Sequence, residues 1–166
     1  MRKSAIVLVG AILGLFLTTG IAAAADKFAY IDLSRTFSEY TKTKGFDKTL
    51  SDKEKAYTDE RDKKVAELKA FQDKINLLND KEREAKKNEL QTKIKNFQDY
   101  DRTKQTDLKK EQEEKMKEIL KDIEEAVKKY SEKEGLTFVF NDRVLVYQSK
   151  AFDITNKVIE ILNKGK

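Results

Sequence analysis

The stretch from Val65 to Phe97 reads VAELKAFQDKINLLNDKEREAKKNELQTKIKNF. A candidate apolar stripe falls at Val65, Leu68, Phe71, Ile75 and Leu78, and a second begins at Leu90, Ile94 and Phe97. Steps of three and four residues keep each set on one face of a helix. Between the two sets lies Asn79-Asp80-Lys81-Glu82, which carries no apolar residue to continue a stripe. Two stripes parted in this way predict a chain reversal, with a tip between about 78 and 83.

Working outward, the first stripe extends back through Tyr57 and Leu50 to Phe46. The second extends forward through Leu108, Met116, Ile119, Ile123 and Val127 to Tyr130. No Pro and no Gly occurs between Phe46 and Glu134, and Lys, Glu, Asp, Gln, Leu and Ala dominate, which favours long helix. Charged residues add i,i+4 pairs such as Asp59–Lys63. A single unbroken helix is the alternative, and it would be about 130 Å long. The expected fold is therefore mainly α: a long antiparallel helical hairpin, spanning 46–134, that projects as an arm.

The seam of that arm is thin. Between Phe97 and Met116 only Tyr100 and Leu108 are sizeable apolar residues. A strong coiled coil needs apolar residues at a and d in successive heptads. Phe71, Ile75, Leu78, Leu90, Ile94, Phe97 and Tyr100 have two uses open to them. They can zip the two helices together near the tip, or some can stay partly exposed as a weak, adaptable apolar surface for unfolded chains.

The flanks differ from the arm. Phe28-Ala29-Tyr30-Ile31-Asp32-Leu33 is aromatic and β-branched and reads as a strand. Ser34 is placed to cap a short helix from Arg35 to Tyr40, with Gly45 breaking it from the arm. Gly135 stands where a helix C-cap glycine belongs. Leu136-Thr137-Phe138-Val139-Phe140 and Val144-Leu145-Val146-Tyr147 read as two strands joined by a turn at 141–143, a hairpin. Asp153 is placed to cap a last helix, Ile154 to Leu162. Residues 26–45 and 135–166 thus form a small strand-containing body. So few residues bury little surface, and strand edges need cover. Self-association through Phe28, Tyr30, Ile31, Leu33, Phe138, Phe140, Leu145 and Tyr147 would meet both needs.

Residues 1–25 read as a cleavable secretory signal. Met1-Arg2-Lys3 is basic, Ala5 to Leu17 is apolar, and Ala23-Ala24-Ala25 supplies a small-residue cleavage site. Cleavage is expected after Ala25. The alternative is an uncleaved anchor, but a span needs about 20 apolar residues. This run reaches that length only by counting Thr18, Thr19 and Gly20.

Composition narrows function further. The chain has no Cys and no His, so the usual zinc sites, His-activated nucleophiles and imidazole proton shuttles are excluded. Three glycines follow the signal, Gly45, Gly135 and Gly165, too few for a phosphate-cradling loop. No cofactor and no enzymatic activity are expected. The arm carries 24 basic and 24 acidic residues, while the whole chain is +5. A nucleic-acid binder concentrates Lys and Arg on one stripe. Here the signs are mixed, so no specific nucleic acid is expected as a partner.

With these residues in view, the chain resembles the Skp/OmpH family of periplasmic chaperones. The resemblance rests on the signal followed by Ala25-Asp26-Lys27-Phe28-Ala29-Tyr30-Ile31-Asp32-Leu33, on Thr43-Lys44-Gly45, and on the charged hairpin. Its more specific part is the closing segment, Leu136 to Asn141, Val144 to Tyr147, Asp153-Ile154-Thr155, Val158-Ile159 and Leu162-Asn163. The resemblance implies a periplasmic homotrimer whose strands form a central body with three enclosing arms. It also implies ATP-independent holding of unfolded outer-membrane proteins, with membrane contact peripheral if made. The neutral arm departs from the strongly basic arms of better-known members. A structural coiled-coil spacer in the envelope, binding no client, is the rival reading.

Overall fold

The two apolar stripes form two helices that run antiparallel and pack along their length. The computed structural model describes residues 26–164; the expected signal at 1–25 lies outside them. In chain order the elements are β1 (Phe28–Ile31), α1 (Leu33–Glu39), α2 (Thr41–Asn76), α3 (Asp80–Glu134), β2 (Phe138–Asn141) and α4 (Thr155–Lys164). At 1.5 Å per residue α2 is about 54 Å long and α3 about 80 Å. The hairpin turns at Leu77–Asn79, with α3 starting at Asp80. There the Asn79 side chain accepts a hydrogen bond from the Glu82 N–H at 3.0 Å, capping α3. A capping asparagine thus turns the chain where no Gly or Pro stands.

Tyr40 at the start of α2 faces Asp122 of α3, so the last three turns of α3 run past α2 into the body. Gly135 ends α3 with φ +67°, the left-handed conformation a C-cap requires, and Leu136 N–H donates back to the Ser131 carbonyl. β2 then lies parallel to β1, pairing Phe28 with Phe138 and Tyr30 with Phe140. Parallel strands need a long crossover. Here the whole arm is that crossover.

Three local expectations are corrected. β2 does not turn back into a hairpin: Asp142–Val144 is a 3-10 turn, and Val144 to Tyr147 forms no strand. The Leu145 N–H closes that turn onto the Asp142 carbonyl at 3.1 Å, and the chain leaves β2 without pairing back to it. Asp32, not Ser34, caps α1, accepting from Arg35 N–H at 2.8 Å. Ser34 instead accepts a hydrogen bond from Arg143. Gly45 does not break the helix, which begins at Thr41 and passes through it. A helical glycine costs only about 1 kcal/mol, and the fixed start of α2 outweighs it. Thr41 donates both its N–H and its hydroxyl to Asn163 Oδ1 at 2.9 and 2.8 Å, tying that start to α4.

The core lies where α3 crosses the body. Ala29 and Ile31 of β1, Tyr40, Ile119, Ile123 and Ala126 of α3, and Ile154, Val158 and Leu162 beside or on α4 make one buried cluster. Asp153 accepts from Thr155 N–H at 2.9 Å, as its capping role requires. The Thr155 hydroxyl in turn accepts from Asp32 N–H at 2.9 Å.

A charged clasp holds the root of the arm. Lys42 lies 2.6 Å from both Glu118 and Asp122, and the Tyr40 hydroxyl donates to Asp122 at 3.1 Å. Hydrogen bonds from Lys115 and Lys42 hold the Glu118 carboxyl down to about 2 against an ordinary 4.5. Its folded value is depressed, so its stabilising contribution is complete above about pH 4.5 and is lost as pH falls toward 2. Lys42 is raised by its hydrogen bonds to Asp122 and then Glu118, so it stays charged throughout that window and the loss comes from protonation of its carboxylate partner. Acid unfolding followed by circular dichroism should therefore begin below pH 4.5. In Glu118→Gln that acid-sensitive part of the stability should shrink.

Candidate binding surfaces

On the arm, the residues nearest the tip divide into floor and rim. Ile75 is buried between the helices at 4% exposure, and is the zipper that sequence reading allowed for. Phe71, Leu78, Leu90, Phe97 and Tyr100 are half-buried, and Ile94 is exposed. Leu68, Phe71, Phe97 and Tyr100 line one groove between α2 and α3, of about 410 Å³, whose flanks include Lys64, Lys74 and Lys93. Lys93 stands 5.2 Å from the centre of the Phe71 ring and Lys64 stands 4.7 Å from that of Tyr100. Such cation–ring contacts contribute about 0.5–1 kcal/mol at exposed sites. Burial first, then the Glu60 carboxylate, push the Tyr100 phenol up to about 12, so it stays neutral.

Toward the root the groove meets a polar crossing. The Tyr57 hydroxyl donates to Asp101 at 2.6 Å, Arg61 donates to the same oxygen at 3.1 Å, and Gln105 bridges Tyr57 and Asp101. This crossing sits where the apolar stripes thin out. Periodicity gave no sign of it, because pairing between groups 40 or more residues apart leaves no local pattern.

On the body, β1 and β2 turn one face to the core and the other outward. Ala29 and Val139 pack inward, whereas Phe28, Phe138 and Phe140 stack on the outer face with centroids 5.8–6.3 Å apart. These rings are 49, 50 and 39% exposed. Beside them the strongly exposed Tyr147, with Phe152, Leu145 and Tyr30, lines an apolar hollow of about 260 Å³. Of the residues expected at a self-association face, Tyr30 and Ile31 are buried within the chain and Leu33 packs against the core. Phe152, which was not among them, is exposed and lines the same hollow, and Val144 and Val146 of the expected strand are exposed as well. Alternation in a short apolar run cannot tell an unpaired segment from a strand.

Comparison with known proteins adds identity to this geometry. Residues 27–162 match the family described as Outer membrane protein (OmpH-like), a span that runs from β1 to α4. The chain belongs to the OmpH-like family. The crystal structure of an OmpH-like protein from Caulobacter crescentus superposes with a TM-score of 0.73. At 15% identity the two share the fold, over 84% of this chain and 85% of that one. No curated protein matches the chain. The matched span takes in both the arm and most of the strand-bearing ends.

Proposed function

We propose that this OmpH-like chain is a periplasmic, ATP-independent holdase that keeps unfolded outer-membrane proteins from aggregating. The observation that carries the reading is the half-exposed apolar surface near the tip of a long projecting arm, in a chain of the OmpH-like family. A holdase without nucleotide must bind many sequences weakly enough to let them go. Phe71, Leu78, Leu90, Ile94, Phe97 and Tyr100 offer such contacts, flanked by charges that keep a loaded complex soluble. Ile75 serves the closure of the hairpin instead. The stacked rings of Phe28, Phe138 and Phe140 form the face through which copies assemble, as a homotrimer. Assembly brings several arms around one client and multiplies weak contacts through effective concentration.

The test is suppression of light scattering by a diluted, unfolded outer-membrane β-barrel protein. Replacing Phe71, Leu90, Ile94 and Phe97 together by Ser should raise the protein needed for half protection about tenfold. Tenfold corresponds to about 1.4 kcal/mol, a fraction of what four partly exposed apolar contacts can supply, because a client shifts onto the apolar residues that remain. Unchanged protection, with helicity intact by circular dichroism, would falsify the arm as the client surface.

A further inference from the structure

The arm is neutral overall, yet its charges are not evenly matched. Lysines along the arm face a glutamate one turn away, as in Lys109–Glu113 and Lys128–Glu132, and Lys64–Glu60 and Lys93–Glu89 are pairs of the same kind. In the lining of the groove, however, the two signs are uneven. Three lysines, Lys64, Lys74 and Lys93, line it against the single acid Glu67, and Lys104 lies 6.0 Å from the Tyr100 ring. The Lys64–Glu60 and Lys93–Glu89 pairs, at 3.4 and 4.0 Å, are exposed surface pairs like the others along the arm. Exposed pairs of that kind hold a lysine by well under about 1 kcal/mol, so it is free to turn to another carboxylate. The floor between the lysines is aromatic and apolar.

Resting on the holdase reading, we propose that this groove selects extended client segments that carry a carboxylate beside an aromatic or large apolar side chain. Lys64 and Lys74 lie ten residues apart on α2, a rise of about 15 Å. That length accommodates four to five residues of extended chain at about 3.3 Å each. An incoming ring rests on Phe71 and Phe97, and flanking carboxylates meet the lysines that now lie over the rings. A peptide suits the groove better than an anionic lipid. The apolar floor is short, stopping at the Tyr57–Asp101–Arg61 crossing, where an acyl chain would need a longer trough.

The test uses the full mature chain and two dye-labelled pentapeptides, Asp-Phe-Gly-Phe-Asp and Lys-Phe-Gly-Phe-Lys, read by fluorescence anisotropy. The acidic peptide should bind about fivefold tighter, from two exposed charge contacts, with the gap closing as salt rises. Lys64→Gln, Lys74→Gln and Lys93→Gln together should equalise the two peptides. Lys74→Glu with Lys93→Glu should reverse their order. Equal binding by the unaltered protein overturns the inference, as does a preference that survives the glutamine variant. Binding of phosphatidylglycerol vesicles that is lost in the glutamine variant, without any peptide preference, also overturns it and assigns the lysines to lipid. If peptides bind equally while a β-barrel client is still protected, only the groove's selectivity fails. If no client is protected at all, the holdase reading fails with it.

Discussion

Replacing Ile119 and Ile123 together by Ala should lower the thermal unfolding midpoint by about 10 °C or more. These two side chains are 1 and 2% exposed and stand one turn apart on α3, at the point where the arm enters the body. Each isoleucine-to-alanine change in a packed core costs about 2–5 kcal/mol, part transfer and part cavity. Adjacent truncations share one cavity, so the two losses do not simply add. The effect is large because the body is small: Ala29, Ile31, Tyr40, Val158 and Leu162 all pack on the same cluster. Val65→Ala, on the exposed side of α2, is the control and should shift stability by no more than about 0.5 kcal/mol. Melting followed by far-ultraviolet circular dichroism at matched concentration checks both. A midpoint that hardly moves in the double variant would show that the body contributes little to holding α3.

Phe138→Asp with Phe140→Asp should convert the proposed homotrimer to single chains, measured as solution mass by light scattering. The two rings stack with Phe28 on the outer face of the β1–β2 pair, where the described residues leave all three exposed. Aromatic residues central to an interface typically cost about 2 kcal/mol or more when removed, so losing two weakens association about a thousandfold. Helicity should be unchanged, because both side chains point away from the core cluster. Protection of clients should fall as well, since a lone arm loses the effective concentration of its neighbours. A mass that stays that of an assembly would move the interface elsewhere, to the hollow beside Tyr147 or to the arms.

Much of the architecture could be read directly. Phe71, Ile75 and Leu78 on one side of Asn79-Asp80 and Leu90, Ile94 and Phe97 on the other implied two helices and a reversal, and α2 and α3 meet there. Gly135 was legible because only a left-handed residue ends a helix in that manner. The surfaces were legible only in part. Phe28, Phe138 and Phe140 looked like self-association residues and do form an exposed face, but Tyr30 and Ile31 from the same run lie buried. Ile75 and Phe71, four residues apart on the same stripe, became zipper and groove wall.

The sequence by itself determined the helices, the hairpin and the small strand-bearing ends, because these follow from periodicity, helix propensity and the shortage of Gly and Pro between Phe46 and Glu134. Only the tertiary structure decided that β1 and β2 run parallel, that α2 continues through Gly45, and that lysines gather over Phe71 and Tyr100. The physical reason is range. Propensity and capping act within a turn or two of helix. Strand direction and groove charge depend on which residues, some 20 to 110 apart in the chain, the packed arm brings face to face.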